Sequence, residues 1–98
     1  MRLDEIKEKL AKHKEDLIAR FKVKELGIFG SYVKEEQKEG SDLDVLVEFE
    51  EDAKLSLLDV VGLELELSDL LGVKVDLVEK KTLKPYIGQR VLEEVVYV

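Results

Sequence analysis

The sequence has no cysteine and no tryptophan, one proline and one histidine. Without cysteine there is no disulfide and no thiolate metal site. That absence fits a reducing compartment. With His13 the only imidazole, no multi-histidine metal centre can form, and no second ligand stands near it in sequence. Long hydrophobic runs are missing too. No apolar stretch approaches the roughly 20 residues that a membrane span needs. The opening residues, Met-Arg-Leu-Asp-Glu-Ile-Lys, lack the apolar core of a signal peptide. The expectation is therefore a soluble, cytoplasmic protein. Basic residues are outnumbered, 16 Lys and Arg against 23 Asp and Glu, for a net charge of −7. A broad nucleic-acid face would need clustered cations, so this balance argues against one. It leaves room for a small nucleotide whose charge a metal ion handles.

What is present fits one domain spanning residues 1–98. The apolar share, 45%, is ordinary for a globular chain. The charged share, 40%, is high and built mostly from Glu and Lys, a balance reported for proteins from hot environments.

Read in order, residues 3–21 repeat apolar positions near a 3.6 spacing, with Leu3, Ile6, Leu10, Leu17 and Phe21 on one stripe. This predicts an amphipathic helix with His13 at the edge of its buried face. Residues 23–29 predict a short strand that runs into Gly30-Ser31. Residues 32–39 are polar and predict two turns of helix, with Ser31 as N-cap and Gly40 as the stop. Asp42 to Phe49 is the clearest strand. Leu43, Val45, Val47 and Phe49 alternate with Asp42, Asp44, Leu46 and Glu48. Ser56 with Asp59 resembles a capping box, and Gly72 supplies a stop, so a helix is expected over 57–71. Leu63 to Leu67 alternates like a strand, but length and both end signals favour helix. Its apolar residues occur on more than one side. A well-buried helix, or one that offers a strip to a partner, would read this way. Residues 73–78 predict another strand. Pro85 suits the first turn of a last helix over 85–94, and residues 95–98 an edge strand.

The chemistry concentrates in two places. Glycine lets backbone approach closely, a serine can cap the helix that follows it, and the free N–H groups of a helix N-terminus attract phosphate. Ten residues after Gly30-Ser31 comes Asp42-Leu43-Asp44. Two acids at i and i+2 of a strand share a face, with Cα atoms about 7 Å apart. On its own this pair is also what two solvated acids on an edge strand look like. Asp76 adds a third acid inside an apolar strand, where a carboxylate is costly unless it is paired, bound to metal or turned to solvent.

Gly30-Ser31, the ten-residue gap, Asp42-X-Asp44 and the later Val75-Asp76-Leu77-Val78 resemble the signature of the DNA-polymerase-beta-like nucleotidyltransferases. The short length is similar to the minimal nucleotidyltransferases of prokaryotes. The resemblance covers nearly the whole chain. It implies an α/β (α+β) nucleotidyltransferase fold, a small mixed sheet flanked by helices with a site open at one edge. It implies that Gly30, Ser31 and Lys34 hold the triphosphate of ATP, and that Asp42, Asp44 and Asp76 are the catalytic acids and bind two Mg²⁺ ions. It also implies a HEPN-domain toxin as partner, neutralised by AMP transfer onto a tyrosine. Many relatives carry Ala-Arg-Gly-Glu soon after Gly-Ser; Val33-Lys34-Glu35-Glu36 stands here. Lys34 keeps the positive charge but loses the guanidinium fork. Three functions are compatible with these residues: protein adenylyltransferase, an antitoxin that works by binding alone, and an enzyme acting on RNA ends. The acidic charge disfavours the last.

Overall fold

The computed structural model describes residues 2–38 and 40–98. Helix α1 (Leu3–Phe21) leads into β1 (Val23–Phe29), and a single 3₁₀ turn follows at Gly30–Tyr32. Then come β2 (Leu43–Phe49), α2 (Leu57–Leu71), β3 (Val75–Glu79), a second 3₁₀ turn at Lys80–Thr82, α3 (Pro85–Glu94) and β4 (Val96–Tyr97). The strands form one sheet in the order β3-β2-β1-β4. β1 runs antiparallel to β2 and to β4, whereas β2 and β3 are parallel. The sheet is therefore mixed, as expected. A parallel pair needs a crossover, and α2 supplies it.

Helices α2 and α3 start at the residues that predict them. Ser56 Oγ accepts the Asp59 N–H at 3.2 Å, and Asp59 Oδ2 accepts the Ser56 N–H at 2.9 Å. That reciprocal box starts α2, and Gly72 ends it in the left-handed region at φ +72°. Pro85 opens α3, where its missing N–H costs nothing.

The core fills the space between α1, α2 and one face of the sheet. Ile6, Leu10 and Leu17 of α1 meet Leu63, Leu67 and Leu71 of α2 in one cluster with Leu26, Ile28, Leu43, Val45 and Val47. Outside the core, Arg20 of α1 ties the two helices together with a bond of 2.8 Å to Glu66 of α2, and it bonds Asp16 on its own helix at 2.9 Å. The alternation along β2 sends Asp44, Leu46 and Glu48 to the opposite face of the sheet.

Some expectations change. Residues 32–38 do not form two turns of helix. The Val33 and Lys34 N–H groups both bond Gly30 O, at 3.1 and 3.2 Å, and the Glu36 N–H bonds Ser31 O at 2.8 Å. Glu35 then takes φ +57° and the turn closes. Lys34 to Lys38 bring no apolar side chain, so burial offers nothing to offset the cost of ordering a longer helix. Ser31 lies within the 3₁₀ turn rather than capping a helix. Glu39, the last residue of that expected helix, lies outside the described residues. Helix α2 is buried on one face only: Leu57, Leu58 and Leu65 are 79%, 81% and 61% exposed. The stripe of Leu63, Leu67 and Leu71 packs against α1 and the sheet, and the second stripe faces outward. His13 is exposed on α1, not at the edge of the core. The last two strands begin later than expected, at Val75 and Val96.

The two stripes of α2 differ in what truncation costs. Leu67→Ala, at a fully buried site, should destabilise the fold by about 2–5 kcal/mol. Leu65→Ala, two residues away on the exposed stripe, should change stability by less than about 0.5 kcal/mol. Urea unfolding of both variants measures the difference.

Candidate active site

The site forms where β1 ends and β2 begins. Phe29 of β1 pairs with Asp44 of β2, and Asp44 pairs in turn with Asp76 of β3. Neighbouring strands lie about 4.8 Å apart, so Asp44 and Asp76 stand side by side on the face opposite the core. Asp42, two residues before Asp44, falls on the same side at the strand's entry. Its carboxylate lies 3.9 Å from Lys74 Nζ. The Leu43 N–H bonds Lys74 O at 2.8 Å, which carries the β2–β3 ladder out to this end.

Gly30 brings the turn onto Asp44. It has φ +81°, a conformation that L side chains rarely adopt. A Cβ built there would collide with Asp44 Oδ2. Glycine at 30 is thus required twice, by its backbone and by the carboxylate against it. Ser31 follows, half-buried, in the same turn.

The opposite wall comes from the end of α3. Gly27 lacks the side chain that would strike Val95, so the chain after α3 packs directly on β1. This brings Glu94 to the turn. Its Oε1 accepts the Gly30 N–H at 3.3 Å, and its Oε2 lies 3.2 Å from Lys34 Nζ. Sequence reading misses Glu94. It stands 64 residues from Gly30 and has no motif around it, so only the topology joins them.

These charges act on one another. Burial raises the Asp44 carboxyl above the ordinary carboxylate range, and Asp76, Asp42 and Glu94 push it in the same direction. All three sequence-predicted acids therefore belong to one electrostatic neighbourhood centred on Asp44. Among the described residues, no three His, Cys, Asp or Glu side chains form a group ready to hold a metal ion. Mg²⁺ does not require such a cage. It is usually held by one or two carboxylates together with substrate phosphates and water. A repelling pair of hard oxygen donors, Asp44 beside Asp76, fits that ion. The acids lie on an open shelf. A cleft of about 340 Å³ lined by Val47, Phe49, Leu55 and Lys80 lies at the other end of β2, away from them.

A family model for the nucleotidyltransferase domain matches residues 10–98. The chain belongs to the nucleotidyltransferase family. It is 54% identical over 96 residues to the protein adenylyltransferase MntA of Thermococcus cleftensis, covering 98% of this chain and 95% of that one. Among solved structures it is similar to a candidate minimal nucleotidyltransferase, with 39% identity and a TM-score of 0.76 over 98% of this chain and 95% of the other. It is also similar to a chain of a toxin–antitoxin structure solved with AMP-PNP, with 27% identity and a TM-score of 0.74 over 92% of this chain and 69% of that one. The protein is thus a minimal nucleotidyltransferase, with the mixed-sheet fold of its relatives.

This geometry predicts two outcomes. Gly30→Ala should destabilise by more than Gly40→Ala. Both sites have positive φ, +81° and +85°, but nothing lies within 4 Å of a Cβ at 40. The left-handed strain of about 1–2 kcal/mol is common to both; the clash with Asp44 is not. Chemical denaturation of the pair reads it out. The second outcome concerns pH. Asp44 titrates higher in the folded state than in the unfolded chain. Its favourable contribution is full below the unfolded value of about 3.9 and is lost as pH rises through the folded value. Asp44→Asn should therefore melt above wild type at pH 7 in chelator, with the gap closing as pH falls below about 4. Thermal scans across that range check the sign.

Proposed function

We propose that this minimal nucleotidyltransferase transfers AMP from ATP onto a protein partner, a HEPN-type toxin, and so acts as its antitoxin. The observation that carries the reading is the register that sets Asp44 beside Asp76, with the Gly30 turn pressed against them. Similarity to a protein adenylyltransferase over nearly the full length supports the acceptor class. The neighbour solved with AMP-PNP supports an adenine nucleotide and a toxin partner.

In this reading the Gly30-Ser31 turn and Lys34 hold the triphosphate. The backbone and hydroxyl of the turn donate hydrogen bonds, and the lysine supplies charge. Mg²⁺, held by Asp44 and Asp76 with Asp42 at the flank, would neutralise charge developing on the phosphoryl and leaving oxygens. The acceptor hydroxyl attacks the α-phosphorus. A new O–P bond forms, the bond to pyrophosphate breaks, and the hydroxyl proton passes to the Asp76 carboxylate. Asp76 is exposed, so a partner's side chain can reach it. Positioning and charge neutralisation carry the reaction, and no covalent enzyme intermediate is needed.

A second reading is that the antitoxin covers its toxin without chemistry. The exposed stripe of Leu57, Leu58, Val61 and Leu65 on α2 favours it, because apolar side chains in a row offer area to a protein partner. Lysine in place of arginine at position 34 is consistent with it.

Incubation with labelled ATP, Mg²⁺ and the toxin partner separates the two. Transfer of label to the partner by wild type, reduced at least about 100-fold by Asp44→Ala, is the expected result. An unlabelled partner, with wild type equal to the variant, would leave binding alone.

A further inference from the structure

Glu94 is a fourth carboxylate at the turn, beyond the three aspartates. It accepts the Gly30 N–H with one oxygen at 3.3 Å and meets Lys34 Nζ with the other at 3.2 Å. One of these groups is a backbone donor and the other a cation. Both belong to the triphosphate seat of the nucleotide reading proposed above. Resting on that reading, we infer that the Glu94 carboxylate is an internal stand-in for a nucleotide phosphate, which keeps the empty seat in its anion-bound arrangement and which the triphosphate must displace.

The chemistry of the contacts matches. A carboxylate and a phosphate both present oxygens to N–H donors and to an ammonium, and both prefer charge-assisted bonds. Glu94 therefore satisfies the groups that a phosphate would satisfy, and leaves neither idle while the seat is empty. The contact is also weak enough to give way. The Lys34 and Glu94 side chains are 48% and 29% exposed, and an ion pair in contact with water contributes little. A triphosphate with several charges outcompetes it. Glu94 cannot simply remain in place. Its charge already reaches Asp44, so beside an incoming phosphate it would add repulsion. Its position suits displacement: Val95 against Gly27 holds the backbone after α3, and a change of side-chain rotamer at Glu94 releases both contacts.

The opposite role is a brace, in which Glu94 holds the turn and Lys34 in shape for the nucleotide. The two roles predict opposite signs. Glu94→Gln retains an oxygen for the Gly30 N–H but loses the charge and frees Lys34. Calorimetric titration with Mg²⁺-AMP-PNP should show binding about five-fold tighter than wild type. Tripolyphosphate should gain likewise, and adenosine should not. The gain should shrink in high salt and vanish in a Lys34→Gln background. Weaker binding in Glu94→Gln, while wild type binds AMP-PNP, overturns the stand-in and leaves a brace; unchanged binding overturns both. If neither wild type nor variant binds AMP-PNP, the nucleotide reading falls and this inference falls with it. Should Glu94→Gln fail to fold by thermal melt, Glu94→Asp serves. One methylene shorter, it draws back from Lys34, and tighter binding of smaller size is expected; weaker binding overturns the inference.

Discussion

Asp44 carries a charge that the folded chain does not welcome. It is half-buried, shares its face with Asp76 and Asp42, and lies within reach of Glu94. Folding gathers these like charges because the hydrophobic alternation of β2 leaves no choice. Leu43, Val45 and Val47 must face the helices, so Asp44 must face away from them. A one-residue slip would bury the acid and expose the core. The electrostatic cost at the site is thus set by the same pattern that forms the core. Such a cost is common where a fold gives up stability to place charged groups together at a site.

Two glycines let the rest of the site close around that charge. Gly30 makes room for the Asp44 carboxylate, and Gly27 makes room for Val95. The first brings the Gly30–Tyr32 turn to the acids. The second brings the end of α3, and with it Glu94, to the turn. Between them they join three segments distant in sequence into one shelf. The parallel β2–β3 pairing through α2 adds Asp76. The helices that carry the hydrophobic core, α1 and α2, take no direct part. Stability and chemistry are largely divided between the two faces of the sheet.

Much of this is legible in the residues. Helices with both a start signal and a stop signal, such as Ser56 with Gly72 around α2, have the bounds that the sequence predicts. The Asp42–Phe49 alternation places Asp44 off the core, and the motif spacing points to the family. Other features depend on tertiary structure. The short turn after Ser31 ends where it does because nothing downstream can be buried, which a polar helix pattern does not reveal. The one-sided burial of α2 depends on which of its stripes α1 and the sheet meet. The alignment of Asp44 with Asp76 depends on strand register. Glu94 depends on a contact across 64 residues.

The chemistry assigned to this shelf requires Asp44 to be at the centre of a cluster of like charges. A carboxyl ¹³C titration of the aspartates by NMR, without metal, measures this directly. Asp44 should titrate above the usual aspartate value of about 3.9, and its midpoint should fall when Asp76 is replaced by Asn. An Asp44 midpoint at the ordinary value, indifferent to Asp76→Asn, would contradict that arrangement.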